Sequence, residues 1–174
     1  FRHKDELRDN KEHGAVPLFY PQHIQSGKIL FPMGKAKEYI VTDKTSLLQN
    51  NSNYLFVKRF TTKEERRRLQ CGVYLSKVFP CYEKISTQNK INFIGGDTDL
   101  SEKLVYGLYV IFNSTLYDRY YRILNGSTQV NSTEINSIPI PSKAVIEQLG
   151  EKIIKSKDMS ERCCDNVLME LLYE

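Results

Sequence analysis

Tryptophan is absent from the 174 residues, and cysteine and histidine are scarce, with four Cys and three His. Cys71, Cys81, Cys163 and Cys164 form no Cys-x-x-Cys pair, and His3, His13 and His23 lie far from them in sequence. That spacing argues against a zinc site, and free thiols fit a reducing cytoplasm. No apolar run approaches the length of a membrane span. No GxGxxG or GxxxxGK[ST] occurs, so no phosphate-cradling loop is indicated, and Gly95-Gly96 reads as a tight turn. No Ser sits in Gly-x-Ser-x-Gly, and no His is placed as its base. A strong excess of one charge is missing too. The net charge of +4 permits a nucleic-acid partner without demanding one.

What is present is a chain of one-domain size, 40% hydrophobic and 26% charged, which is the balance of a globular protein. Tyrosine (eleven) and phenylalanine (eight) are plentiful, which suits a β-rich core or stacking surfaces. The stretch from Arg122 to Pro141 organises the rest. From Asn125 to Asn131 it uses almost only small or amide side chains, which fill no core and offer paired donors and acceptors. Such groups touch phosphates and base edges. The same composition also fits a plain connection between helices.

In chain order, the charged segment 1–13 reads as loop, a linker from something upstream in a longer protein. Ala15–Tyr20, broken by Pro17, predicts a short edge strand. Gln22 and His23 fall in a turn before a second strand, Lys28–Phe31, and either present side chains or form an ordinary hairpin loop. Tyr39–Val41 fits a strand and Lys44–Asn53 a short helix. Tyr54–Val57 is a clear strand, with Val73–Leu75, Val78–Phe79 and Lys90–Ile94 to follow. Between them, Thr61-Thr-Lys-Glu64 matches a capping box for a helical turn over 64–67. This makes a cationic tip of Lys58, Arg59, Lys63, Arg66, Arg67 and Arg68. Arginine forks bind phosphates and guanine edges, yet Glu64 and Glu65 equally allow a solvated, internally paired run.

Ser101 caps a helix carrying Leu104, Leu108, Ile111 and Phe112, and Ser114 caps the next. There Leu116, Tyr117, Tyr120, Tyr121 and Leu124 form an apolar face opposite Asp118, Arg119 and Arg122. Ser142 and Ser160 open two further helices. Asp97, Asp99 and Glu102 form a carboxylate cluster that either complements the helix dipole or holds a nuclease metal. The fold class expected is α+β: a twisted, mostly antiparallel sheet of short strands, a helix pair packed on it, and C-terminal helices.

Four stretches carry a family resemblance. They are Gly14–Ile29, Val57–Leu69, Leu100–Tyr121, and Asn125-Gly-Ser-Thr-Gln-Val-Asn-Ser-Thr-Glu-Ile135 with Ile138-Pro-Ile-Pro141. In this order they resemble the C-terminal target-recognition domain of adenine-N6 DNA methyltransferases from bacterial restriction–modification systems. The last stretch also resembles, more loosely, the segment that closes each recognition domain of type I specificity subunits. The resemblance implies sequence-specific binding of double-stranded DNA by residues 14–141. Helices 142–174 would pack on that domain or on a partner. The methyl transfer, with its S-adenosylmethionine, would belong to an upstream domain of the same polypeptide. This chain carries neither that family's cofactor loop nor its Asn/Asp-Pro-Pro-Tyr/Phe motif, so it is expected to bind rather than catalyse, with no cofactor or metal of its own. The expected DNA-contacting residues are Gln22, His23, Lys28, Lys58, Arg59, Lys63, Arg66, Arg67, Arg68, Arg119, Arg122, Asn125, Ser127, Thr128, Gln129 and Asn131. A competing reading is an interaction or scaffold domain that docks through an apolar patch near Val167–Leu172.

Overall fold

A computed structural model describes residues 3–96 and 99–173. Ten short strands come first: β1 (Leu7–Arg8), β2 (Val16–Phe19), β3 (Ile24–Gln25), β4 (Gly27–Ile29), β5 (Tyr39–Ile40), β6 (Gln49–Asn50), β7 (Tyr54–Lys58), β8 (Cys71–Tyr74), β9 (Lys84–Thr87) and β10 (Ile91–Ile94). Five helices follow: α1 (Glu102–Asn113), α2 (Thr115–Leu124), α3 (Ser132–Ser137), α4 (Lys143–Ser156) and α5 (Glu161–Tyr173). The fold is α+β, as expected, but the strands form two sheets rather than one. Their orders are β1-β5-β2-β9-β6 and β10-β7-β8-β4-β3. Most pairings are antiparallel; β2–β9 and β4–β8 are parallel.

Alternation along the strands builds the layers. In β7, Tyr54 and Phe56 face one core while Leu55 and Val57 face another. The first core lies between the sheets: Phe19 reaches across to Phe56 and Tyr74, with ring centroids 5.6 and 5.2 Å apart. The second lies between the β7–β8 sheet and the helices. Burial on both faces explains why β7 reads as an unbroken apolar run.

Several sequence expectations change. Leu7–Arg8, expected as loop, pairs with Tyr39–Ile40. Pro17 sits in a central strand, not an edge strand. It is tolerated because its neighbour Leu18 donates to the Glu38 carbonyl (2.8 Å), while pairing with β9 begins only at Leu18. Lys44–Asn53 gives a single 3-10 turn, Thr45–Leu47, and the two-residue β6. Ser76–Val78 is likewise a 3-10 turn, where a strand was expected over Val78–Phe79.

The helix starts follow the sequence closely. Ser101 accepts from the Leu104 N–H and Ser114 from the Tyr117 N–H. Ser142 stands at the start of α4 without a side-chain cap bond. Helices α1 and α4 cross in close contact. A Cβ at Gly107 would lie 1.9 Å from the Ile146 carbonyl oxygen, and one at Gly150 would lie 1.8 Å from that of Lys103. The C-terminal helices therefore seat directly on α1. Helix α2 is turned from its expected orientation: Asp118 and Tyr121 are buried while Leu116 and Ile123 face solvent.

Candidate functional site

The loop between β7 and β8 was expected to form a helical turn over 64–67. It forms a tight turn instead, in which the Glu65 carboxylate accepts from the Thr62 N–H (2.7 Å), one residue off the predicted box. Thr61 cannot serve as the cap: it is buried and its hydroxyl donates to the Arg68 carbonyl. The rest of the loop is held from below. Asp118 of α2 accepts from the Arg68 and Leu69 N–H groups (2.8 Å each) and from the Arg122 guanidinium (3.0 Å). Arg122 also donates to the carbonyls of Lys63, Glu65 and Arg66. Arg67 donates to the carbonyls of Phe112 and Ser114 and pairs with Glu161. Burial would raise the Glu161 pKa, but the Thr115 hydroxyl and the Arg67 and Arg66 charges outweigh it and hold the carboxyl below its ordinary range.

The 125–131 loop is organised by its first residue. The buried Asn125 accepts from the Ser127 N–H (2.7 Å) and donates to the Gln129 carbonyl (2.7 Å), the Tyr121 hydroxyl (2.6 Å) and Glu134. This local bonding is what asparagine does well in turns. Asn131 caps α3 through the Glu134 N–H.

The two polar segments are one body. Arg68, 1% exposed, donates to the carbonyls of Thr61 and Ser127. Phe60 and Gln129 form a β-bridge, the Val130 N–H donates to the Arg59 carbonyl (2.7 Å), and Asn92 donates to the Val130 carbonyl (2.6 Å). Segments 59–68 and 125–130, with the start of β10, thus make a single ridge.

Of the expected contact residues, His23, Arg68 and Asn125 are buried away from any partner, and Arg67, Arg122 and Asn131 are half-buried with polar groups engaged in this framework. His23 is fully buried: the Tyr20 N–H donates to its Nδ1 (2.8 Å), and its Nε2 donates to Glu38 (2.7 Å). Arg68 and Asn125 are buried, and Arg67 and Arg122 spend their donors on backbone carbonyls and carboxylates. The Asn131 side chain is the α3 cap.

Gln22, Lys28, Lys63, Arg66, Arg119, Ser127, Thr128 and Gln129 are exposed. Arg66 pairs with Glu161 at the surface, and Arg119 stands on the outer face of α2 with no bond to the ridge. Lys58 and Arg59 are half-buried, donating to Gln70 and to the Asn89 carbonyl.

Beside the ridge lies an open cleft of about 1140 Å³. Lys28, Lys58, Arg66, Arg67, Lys157 and Arg162 line it, against the carboxylates of Glu65, Asp158 and Glu161. The loop at 125–131 does not line this cleft. Lys28 reaches it from a two-residue hairpin turn, Ser26-Gly27, with φ of 49° and 79°. Only glycine fits at the second position, because a Cβ there would lie 2.3 Å from the Tyr109 hydroxyl. Sequence reading missed Lys157 and Arg162, since their turn joins the cleft only through the packing of α4 and α5 on α1. Of the acidic cluster, Asp97 lies outside the described residues; Asp99 accepts from Ser52, and Glu102 pairs with Lys77.

The fold is thus an α+β unit that carries a solvent-facing polar ridge beside a cation-rich cleft. Comparison with known proteins agrees on the lineage. The chain is 36% identical over 177 aligned positions to the type II methyltransferase M.BsuBI of Bacillus subtilis, which covers 99% of this chain and 35% of that protein. It is 35% identical over 160 positions to the type II methyltransferase M.PstI of Providencia stuartii, covering 88% of this chain and 31% of that protein. The chain is thus a homologue of one region of type II methyltransferases and spans about a third of the length of these relatives. No family model matches it. No solved structure matches it.

Proposed function

We propose that this chain is the DNA-reading part of a site-specific adenine-N6 DNA methyltransferase of a restriction–modification system. The observation that carries the reading is the union of the two polar segments. Buried Arg68 and Asn125 and half-buried Arg122 hold them in place, leaving Lys63, Arg66, Thr128 and Gln129 outward on a rigid base. Rigid placement is what sequence discrimination needs. The exposed cations of the ridge and the cleft hold phosphates, and the Ser127–Gln129 tip reaches base edges. Methyl transfer and its S-adenosylmethionine belong to other parts of the parent polypeptide, working in the cytoplasm. The cleft's excess of lysine and arginine suits a polyanion and mismatches a sulfonium cation. The scaffold alternative retains only a small apolar patch, Met169 and Leu172, because Val167 and Leu168 are buried in the helical core.

The test is the salt dependence of duplex binding. Each phosphate contact releases counterions, so replacing Lys28, Lys63 or Arg66 by Ala should lower affinity across all sequences and reduce the slope of log affinity against log salt by about one each. Unchanged affinity and slope in all three variants would remove the DNA reading.

A further inference from the structure

Phe60 crowns the ridge at 46% exposure and belongs to none of the three hydrophobic cores. The backbone around it is clamped on both sides. The Arg59 N–H donates to the Lys90 carbonyl (2.9 Å), and the Arg59 carbonyl accepts from Val130. Phe60 itself bridges Gln129, and the Thr61 carbonyl takes the buried Arg68 guanidinium. Only the phenyl group is left free. The Arg59 guanidinium lies 5.9 Å from the ring centroid, Gln129 is the bridge partner, and the segments that clamp Phe60 carry exposed Lys63, Lys90 and Thr128. A protein-docking site would surround such a ring with other apolar groups. An aromatic ring on a stiff base, rimmed by phosphate-binding and base-reading groups, matches a wedge for stacked bases.

We propose that Phe60 stacks into a base step of bound duplex DNA while Arg59 and Lys63 hold the flanking phosphates. The proposal rests on the DNA-reading function above and adds to it a stacking contact that hydrogen bonds and charge do not supply. Sequence discrimination at that step would then come partly from how easily it unstacks.

The absence of tryptophan from the chain makes the test direct. Duplexes recovered by the unmodified chain from a randomised pool serve as the probe. Phe60→Ala should melt at the midpoint of the unmodified chain and bind roughly tenfold or more weakly, with the salt slope unchanged because stacking releases no counterions. Phe60→Trp should keep affinity, and its sole indole should be quenched on binding and shielded from iodide. Phe93→Trp, exposed on β10, serves as the unquenched control. If duplex is bound but Phe60→Ala binds like the unmodified chain, or the indole at position 60 stays unquenched, the wedge is wrong and the DNA-reading function stands. If the unmodified chain recovers no duplex from the pool at low salt, both fall together.

Discussion

Arg66 and Arg68 are two residues apart on one loop, yet the side chain of the first is 82% exposed and the second residue is 1% exposed. The same contrast runs through the whole ridge. Its inner side, built from Asp118, Arg122, Asn125, Arg67 and Arg68, satisfies backbone groups of segments distant in sequence. Its outer side, Lys63, Arg66, Thr128 and Gln129, has little to hold it in place. Even Gln22 and His23 divide this way, one outward and one sealed against Glu38. A buried guanidinium on carbonyl oxygens stiffens a loop; an exposed one offers charge to a partner. Residue type therefore does not separate grip from scaffold here, and position does.

Substitutions can break that contrast or sharpen it. The largest effect is expected at Asp118. Replacing it by Ala strips two buried N–H groups and the Arg122 guanidinium of their acceptor, and should cost on the order of 3–5 kcal/mol in urea unfolding. Arg68→Met comes next, at about 1–3 kcal/mol, because the carbonyls of Thr61 and Ser127 lose their donor. Its DNA binding should fall only as the ridge loosens.

The His23–Glu38 pair gives a pH signature of the inner side. Burial pulls the His23 pKa down against the opposing pull of Glu38. Burial would raise Glu38, but its bonds from His23, Met33 and Lys35 hold it low. Both folded-state pKa values are depressed, so the unfolded chain binds more protons in acid. Stability should fall as pH drops below about 6.5 and fall further through the carboxylate range. Urea midpoints against pH check this, and His23→Gln should flatten the upper part of the curve. The smallest stability effects belong to the outer side: Lys63→Ala and Arg66→Ala should each change unfolding by less than about 0.5 kcal/mol.

Much of this arrangement was legible locally. Ser101 and Ser114 announced the starts of α1 and α2, Tyr54–Val57 announced a strand, and the small and amide side chains of 125–131 announced a loop, though not that Asn125 and Val130 within it are buried. The direction of each arginine was not legible. Arg67 and Arg68 turn inward because the carbonyls of Phe112, Ser114 and Ser127 await them there, and those partners lie some 45 to 59 residues further along. Asp118 looked solvated because it falls opposite the apolar side chains expected to face the core, whereas its Oδ1 reaches across to the loop. The two-sheet arrangement depends on the β2–β9 and β4–β8 pairings, which no local pattern encodes.

The account stands on the outer side of the ridge touching DNA while the inner side holds it up. Its most direct test is the double variant Lys63→Ala/Gln129→Ala, titrated across salt against duplexes the unmodified chain recovers from a random pool, alongside a urea melt. The expected result is an unchanged melt, affinity down by roughly tenfold or more, and a salt slope shallower by about one. Binding indistinguishable from that of the unmodified chain, or lost binding explained by a collapsed melt, would contradict it.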